Sequence, residues 1–125
     1  MSMDRPAILI VEDEALVGLE IELAFREMGI AEVRWAPDLE KARQILNSEA
    51  IDGAVLDVLL GDTEVFPLAE ELARRGIVFV FHTGHAQAVD INRQWPTSPV
   101  FRKPVASAQV ARGLLDMLPD GAPAQ

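Results

Sequence analysis

The sequence predicts an α/β domain in which helices cover both faces of a parallel β-sheet. Five apolar runs of strand length alternate with five segments of helical periodicity, and this alternation is typical of β-α-β units. The chain of 125 residues has the length of one ordinary domain, and half of its residues are hydrophobic, which is enough for a core. We therefore expect one domain over residues 5–118 and a flexible tail over residues 119–125.

The first predicted strand is residues 7–11, an apolar and partly β-branched run that ends at Glu12 and Asp13. A long helical pattern follows, with Gly29 as its C-cap and Asp13 placed to cap its start. The residues expected on or near the apolar side of this helix are Leu16, Val17, Ile21, Leu23, Ala24 and Met28.

The second predicted strand is short, residues 33–36, and Pro37 and Asp38 open a second helix. The apolar residues of that helix recur at helical spacing and are Leu39, Ala42, Ile45 and Leu46. The third strand, residues 53–57, has small or apolar residues until it ends at Asp57. Such a run is typical of a strand that is buried on both faces.

Residues 58–66 are expected to form a loop, because they lack a regular pattern and contain a glycine. Pro67 fits the first turn of a third helix, and Gly76 ends that helix. Residues 77–81 are the most strand-like run in the chain, and they predict the fourth strand.

The fourth helix, expected over residues 86–94, has the weakest pattern, because Asp90 and Asn92 are poor helix formers. Residues 100–102 predict a short fifth strand. Ser107 is expected to cap the last helix. The apolar face of that helix is Val110, Leu114, Met117 and Leu118.

The composition argues against several classes of function. A net charge of −9 disfavours binding to nucleic acid or to an acidic membrane through a basic patch. The chain has no cysteine, which excludes disulfides, thiolate zinc sites and cysteine nucleophiles. It shows neither the pattern of a signal peptide nor an apolar run of membrane-spanning length. We therefore expect a cytoplasmic protein with no nucleic-acid and no membrane partner.

Polar residues follow four of the five predicted strands. In a parallel sheet the carboxyl ends of the strands lie along one edge, where open α/β proteins place their ligand sites. The first strand brings Glu12 and Asp13 to this edge, the third brings Asp57, the fourth Thr83 and the fifth Lys103. We therefore expect three carboxylates, a hydroxyl and an ammonium group to lie close together.

Three neighbouring carboxylates repel one another, so their ionisation favours a bound cation. Mg²⁺ takes oxygen ligands, and Asp13, Asp57 and the backbone carbonyl of Leu59 could hold it, with Glu12 acting directly or through water. One oxygen of Asp57 would remain as a nucleophile, and aspartate is an acceptor of phosphoryl groups. The cation, the hydroxyl and the ammonium group could then stabilise charge on the transferred group.

Each of these residues has a simpler explanation when it is taken alone. Asp13 would be a helix N-cap, Asp57 a turn residue, Thr83 a loop residue bonded to its own backbone, and Lys103 a solvated surface lysine. Accidental placement of all four at matching strand ends is harder to accept than a shared site.

The same residues, in this order, resemble the receiver domain of bacterial two-component response regulators over nearly the whole chain. Residues 8–14 resemble the acidic motif of the family's first strand, and residues 55–58 resemble its phosphoacceptor strand. Thr83 and Gly84 match the switch hydroxyl and the small residue after it. Lys103 matches the family's lysine, and the peptide bond to the proline that follows is typically cis in the family. The resemblance implies the flavodoxin-like receiver fold, a five-stranded parallel sheet of order 2-1-3-4-5.

The resemblance further implies a single-domain response regulator with Mg²⁺ as its cofactor. Asp57 would accept a phosphoryl group from a histidine kinase or a histidine phosphotransfer protein. Phosphorylation would shift the domain between two pre-existing states and change the surface of helix four, strand five and helix five, which would bind a downstream protein target. Such a protein is not an enzyme beyond its self-catalysed phosphotransfer and dephosphorylation. A homodimer is a further candidate assembly.

The chain departs from the family pattern mainly at its readout. Receivers commonly carry Tyr or Phe three residues before the lysine, but here that position is Val100 and the aromatic neighbour is Phe101. Gly61 stands where the loop after the phosphoacceptor commonly has proline. Gly61, residues 66–67 and residues 79–85 are together similar to stand-alone alphaproteobacterial receivers whose fourth strand ends Phe-Ala-Thr-Gly. His82 replaces the alanine and is expected to pack against a helix.

Three residues are candidates for modulating the reaction. Leu59 and His85 follow Asp57 and Thr83 by two positions and could exclude or orient the hydrolytic water, and Phe101 could support an aromatic switch. An exposed loop histidine is an equally good interpretation of His85. Equal dephosphorylation rates for the wild type and His85→Ala would favour that interpretation.

Two other functions stay open on the sequence alone. One is a degenerate receiver that acts without phosphorylation, although the complete set of site residues argues against it. The other is a magnesium-dependent phosphatase with an aspartyl nucleophile. That class needs a second Asp two residues after the nucleophile as general acid, and Leu59 occupies this position.

Overall fold

A five-stranded parallel sheet runs through the protein in the computed structural model, which describes residues 6–84 and 88–119. The strands of the chain are β1 (Ala7–Val11), β2 (Glu32–Ala36), β3 (Gly53–Asp57), β4 (Leu59–Leu60), β5 (Thr63–Glu64), β6 (Val78–Thr83) and β7 (Val100–Arg102). The helices are α1 (Ala15–Glu27), α2 (Leu39–Ser48), α3 (Phe66–Arg74), α4 (Ala88–Gln94) and α5 (Ser107–Leu115).

The sheet has the order β2-β1-β3-β6-β7, and all of its strand pairs are parallel. Because β6 and β7 are its fourth and fifth strands along the chain, this arrangement confirms the predicted order 2-1-3-4-5. β4 and β5 instead form a small antiparallel hairpin in the segment that was expected to be a loop. Gly61 has a φ of +65° in its turn, a conformation that glycine adopts without a steric penalty.

Two apolar clusters cover the two faces of the sheet. On one face, Ile8, Ile10 and Val55 pack with residues of α1 and α5. On the other face, Leu9 and Leu56 pack with residues of α2, α3 and α4. Since neighbouring residues of a strand point to opposite faces, a strand that contributes to both clusters must be apolar throughout, and β3 is buried at every position.

The helix ends confirm some predicted caps and correct others. Gly29 and Gly76, with φ of +92° and +75°, follow the ends of α1 and α3 as expected. The prediction that Asp13 caps α1 was wrong, because Glu14 is the N-cap residue and makes no side-chain cap bond. The Asp13 carboxylate instead accepts a hydrogen bond from the loop of the β4–β5 hairpin. Ser107 is the first residue of α5 and not its cap.

The apolar side of α1 was also predicted incorrectly at two positions. The helix buries Gly18, Ile21, Ala24 and Phe25 against the sheet, whereas Leu16 and Leu23 are 69% and 50% exposed. These two leucines are seven residues apart and therefore lie two turns from each other on the side of the helix that faces away from the sheet. The sequence has large apolar residues on both sides of this helix, with isoleucine and phenylalanine on the buried side and leucines on the other, so periodicity alone could not decide which side is buried.

Two predictions extend beyond the described residues. The fourth helix begins at Ala88, and residues 85–87, which include His85, lie outside the described part of the chain. Residues 120–125 of the predicted tail also lie outside it. Among the helices that the structure describes, none is both long and apolar enough to span a membrane.

Candidate functional site

Four charged side chains meet at the carboxyl edge of the sheet, and we call them the carboxyl-edge site: Glu12, Asp13, Asp57 and Lys103. Glu12 and Asp13 directly follow β1, Asp57 ends the adjacent strand β3, and Lys103 follows β7. One carboxylate oxygen from each of the three acidic residues lies within 4.8 Å of the other two. The structure thus brings together the charged residues that the strand ends predicted.

Glu12 is the most deeply buried member of the site, with 1% of its surface exposed. Its Oε2 accepts a hydrogen bond from the backbone N–H of Glu14 at 3.2 Å. Its Oε1 is buried and has no hydrogen-bond partner among the described residues. A buried carboxylate oxygen that accepts no hydrogen bond is costly, even with the Lys103 ammonium group 3.6 Å away, and oxygen atoms are the ligands that Mg²⁺ prefers. The residues present therefore fit a divalent cation.

The electrostatics of Glu12 agree with this fit. Burial, and then the negative charge of Asp57, raise the pKa of Glu12 to about 8, although Lys103 opposes the shift. Without a cation the carboxyl group therefore holds a proton at neutral pH. A cation in the site would favour the ionised form and displace that proton.

Lys103 supplies the positive charge of the site. Its Nζ lies 3.5 Å from Oδ2 of Asp57 and 3.6 Å from Oε1 of Glu12. Its backbone N–H donates to the carbonyl of Thr83 at 2.8 Å, which ties the residue to the end of β6. The peptide bond between Lys103 and Pro104 is cis, as the resemblance led us to expect.

A cavity of about 270 Å³ opens at this edge, and its wall is formed by Asp13, Glu14, Asp57, Leu59, Gly84 and Lys103. Leu59 is half-buried in β4, next to the acidic residues in this wall. Gly84 is exposed, and a Cβ atom there would lie 3.8 Å from the Lys103 side chain. Thr83, at the end of β6, is fully buried. The structure thus places these three predicted residues at the site, whereas His85 lies outside the described residues.

His82 is closer to the site than the sequence suggested. It is the register partner of Asp57 across β3 and β6 and is buried. Burial, and then the charge of Lys103, lower its pKa to about 4, so the imidazole is neutral at physiological pH. Sequence reasoning expected His82 to pack against a helix and did not pair it with Asp57, because the strand register that makes the two neighbours could not be read from the chain.

The aromatic residue of β7 lies on the face of the sheet that packs against α5. Phe101 pairs in register with His82, and Val100 pairs with Phe81. The ring of Phe101 is so close to α5 that a Cβ atom on Gly113 would lie 2.4 Å from its Cζ. Val100 packs instead with the cluster on the opposite face.

Two contacts to the acidic residues were missed by sequence reasoning. The backbone N–H of Gly61 donates to Oδ2 of Asp13 at 2.8 Å, and the indole N–H of Trp35 donates to the carbonyl of Glu12 at 2.8 Å. The glycine was noted only as a turn residue, and nothing in the sequence singled out the tryptophan. Both contacts depend on which segments become neighbours in space.

Comparison with known proteins agrees with this fold and site. Residues 8–110 match the family described as "Response regulator receiver domain". The chain therefore belongs to the response regulator receiver domains of two-component signalling. No curated protein sequence matches the chain.

Several solved structures share this architecture. SdrG from Sphingomonas melonis Fr1 is 34% identical, with a TM-score of 0.74, and the match covers 92% of this chain and 99% of that one. The non-phosphorylated HemR receiver domain from Leptospira biflexa is 26% identical, with a TM-score of 0.73 and coverage of 87% and 90%. A sensor protein from Polaromonas sp. JS666 is 20% identical and shares the fold, with a TM-score of 0.78 and coverage of 94% and 99%.

Proposed function

We propose that the protein is a response regulator that accepts a phosphoryl group on Asp57 in the presence of Mg²⁺ and thereby switches a protein-binding surface. The observation that carries the proposal is the arrangement of three clustered carboxylates, one with a buried oxygen that accepts no hydrogen bond, around a lysine ammonium group. Membership of the receiver family supports the same chemistry. The single-domain form and the stand-alone alphaproteobacterial subclass remain predictions.

Asp57 is the proposed nucleophile. Its carboxylate would attack the phosphorus of a phosphohistidine, so that a P–O bond forms to Asp57 while the P–N bond to the donor imidazole breaks. Lys103, which lies 3.5 Å from Asp57, would stabilise negative charge on the phosphoryl oxygens. Thr83 and Gly84, at the end of β6, are proposed to respond to the new phosphoryl group.

Glu12, Asp13 and Asp57 are the residues that would hold the cation, and the backbone carbonyl of Leu59 is a further proposed ligand. When bound, Mg²⁺ supplies positive charge that offsets the repulsion between the carboxylates and the incoming phosphoryl group. Glu12 would give up its proton as the cation binds, because the ion stabilises the charged carboxylate.

The proposed partners follow from this chemistry. A histidine kinase or a histidine phosphotransfer protein would donate the phosphoryl group in the cytoplasm. A downstream target protein would bind the surface formed by α4, β7 and α5, and a homodimer is a further candidate assembly. Leu59 and His85 stay candidate modulators of the hydrolytic water, whereas the face of the sheet that Phe101 occupies argues against its role as an aromatic switch.

The proposal is tested by intact mass after incubation with Mg²⁺ and a small phosphodonor. We expect the wild type to gain one phosphoryl group, and we expect Asp57→Asn to gain none. Asp62→Asn is the matched control, because Asp62 is an exposed aspartate in the nearby β4–β5 turn and its substitution makes the same change in charge. Chelation of Mg²⁺ should prevent the adduct.

The other outcomes separate the alternatives. An adduct that persists in Asp57→Asn would refute Asp57 as the acceptor. Absence of an adduct from every donor, including candidate kinases, would favour the degenerate receiver. Steady hydrolysis of unrelated phosphate esters would favour the phosphatase.

A further inference from the structure

Trp35 joins β2 to the acidic turn of the site, the segment of residues 12–14 between β1 and α1. It lies on β2 with 37% of its surface exposed, and its indole N–H donates to the carbonyl of Glu12 at 2.8 Å. A partly exposed tryptophan of this kind commonly places its polar N–H on a partner. Here the partner belongs to the backbone of the most buried acidic residue of the carboxyl-edge site.

The indole bond completes the attachment of Glu12 to β2. The backbone N–H of Glu12 donates to the carbonyl of Ala36 at 3.0 Å, and the Glu12 carbonyl accepts from Trp35. Both backbone polar groups of Glu12 are therefore held by neighbouring residues of one strand. The Glu12 carboxylate is held on the other side by the N–H of Glu14, which leaves Oε1 with only the Lys103 ammonium group 3.6 Å away and no hydrogen bond among the described residues.

Gly18 on α1 makes room for this indole. A Cβ atom on Gly18 would lie 2.8 Å from both Cδ1 and Nε1 of Trp35. These are the atoms at the hydrogen-bonding side of the ring, so a side chain at position 18 would force the indole away from Glu12. α1 begins directly after the acidic turn, and the tryptophan is thus fitted between the helix and the turn.

We propose that Trp35 is a positioning residue for metal binding, which orients the acidic turn through its indole N–H bond to the Glu12 carbonyl. The inference rests on the magnesium site of the proposed function. Groups that orient a metal ligand without contacting the ion typically change metal affinity by about 10–100-fold when they are removed. We expect the lower end of this range, because Trp35 holds the backbone of Glu12 and not its carboxylate.

The test uses Trp35→Phe, which keeps an aromatic ring and removes the N–H donor, and Gly18→Ala, which leaves Trp35 intact but displaces it. Magnesium affinity is measured on the unphosphorylated protein by titration of its amide NMR spectrum. Each variant should weaken Mg²⁺ binding about 10-fold. The double variant should bind Mg²⁺ only slightly more weakly than either single variant, because both substitutions remove the same hydrogen bond between Trp35 and Glu12. Trp95→Phe is the control, since the Trp95 N–H has no hydrogen-bond partner among the described residues.

A second readout separates positioning from a general structural role. The Mg²⁺ concentration that gives half-maximal phosphorylation should rise about 10-fold in both variants, whereas the rate at saturating Mg²⁺ should stay within about 2-fold of the wild type. A lower maximal rate with an unchanged Mg²⁺ requirement would overturn the inference. Should Trp35→Phe fail to fold, Gly18→Ala still decides it, because that variant retains the indole.

The two proposals fail in different ways. A wild type that neither binds Mg²⁺ nor needs it for phosphorylation would refute the magnesium site, and with it this inference. A wild type that needs Mg²⁺, with Trp35→Phe and Gly18→Ala binding the ion as tightly as Trp95→Phe, would refute the role of Trp35 alone.

Discussion

The carboxyl-edge site and the last strand of the sheet differ in how they relate to the family pattern. At the site, Asp13, Asp57 and Lys103 follow the ends of their strands, and the structure brings them together as predicted. On β7, the aromatic residue is one position further along the chain than in the common pattern. Phe101 therefore lies in the cluster with α5, and Val100 lies in the cluster on the opposite face.

The difference shows how unequally the two regions depend on strand alternation. A residue that follows a strand reaches the same edge whichever face the strand presents. A residue inside a strand moves to the other face when it shifts by one position. Thr83 is two residues after Phe81 on β6 and so shares its face of the sheet, and Phe81 belongs to the cluster on the face opposite to that of Phe101. We infer that Phe101 does not act with Thr83 as the family's aromatic residue would.

The largest expected effect tests the first region of this comparison, the carboxyl-edge site. Lys103→Ala should slow phosphorylation of Asp57 by about 100-fold or more, because it removes the cation that lies 3.5 Å from the acceptor. The rate is followed by intact mass at saturating Mg²⁺. Arg102→Ala is the control, since Arg102 is the exposed basic neighbour on β7. Equal rates for the two variants would show that the position of Lys103 is incidental.

A smaller effect concerns pH, because the folded protein raises the pKa of Glu12 from 4.5 to about 8. The folded state then binds a proton that the unfolded state releases, so the free energy of unfolding should fall as pH rises between these two values. Above about pH 7 this group dominates, since the His82 imidazole is neutral in the folded state, where burial lowers its pKa to about 4, and mostly neutral in the unfolded state, where its pKa is 6.5.

Thermal unfolding with and without Mg²⁺ checks this linkage. Without Mg²⁺ the Tm should decrease from about pH 7 to about pH 8, and Mg²⁺ should raise the Tm more at the higher pH, where a smaller fraction of Glu12 carries a proton that the ion must displace. Glu12→Gln should lose this pH dependence. A metal-free Tm that rises over this range in the wild type but not in Glu12→Gln would contradict the burial of a protonated Glu12.

The smallest expected effect on phosphorylation concerns the second region of the comparison, the strand β7. Phe101→Ala should lower the free energy of unfolding by about 2 kcal/mol, less than the ~3–5 kcal/mol typical of a fully buried phenylalanine, because the ring is half-buried. The rate of phosphorylation should stay within about 2-fold of the wild type. Urea unfolding and the mass time course measure these two quantities. A large loss of phosphorylation with little loss of stability would show that Phe101 is part of the reaction.

Gly113→Ala is a matched perturbation of the same contact. The added methyl group would overlap the Phe101 ring, and overpacking of this kind costs about 1–3 kcal/mol. In a Phe101→Leu background the cost should shrink, since the ring that causes the overlap is gone. An equal cost in both backgrounds would mean that the glycine is needed for another reason.

Much of this molecule could be predicted from its sequence because local patterns determine it. The apolar runs gave the five strands of the sheet, Gly29 and Gly76 marked helix ends, and Asp57 stood at the end of a fully buried strand. The buried side of α1 could not be predicted, because large apolar residues lie on both sides of that helix.

The remaining errors and omissions involve contacts between distant segments. Asp13 was expected to cap α1, but a loop 48 residues away provides its hydrogen bond. The contact between Trp35 and Glu12 and the pairing of His82 with Asp57 depend on strand register. Such contacts depend on the tertiary fold, which sequence periodicity does not determine residue by residue.

The central claim is that Asp57 is the residue that becomes phosphorylated, and chemical mapping tests it most directly. Borohydride reduces an aspartyl phosphate to homoserine, which peptide mass spectrometry locates in the chain. After reaction with a phosphohistidine donor and Mg²⁺, we predict homoserine at position 57 and at no other position, and none when Mg²⁺ is chelated. Homoserine at another aspartate, or a phosphorylated protein in which Asp57 is unchanged, would contradict the account.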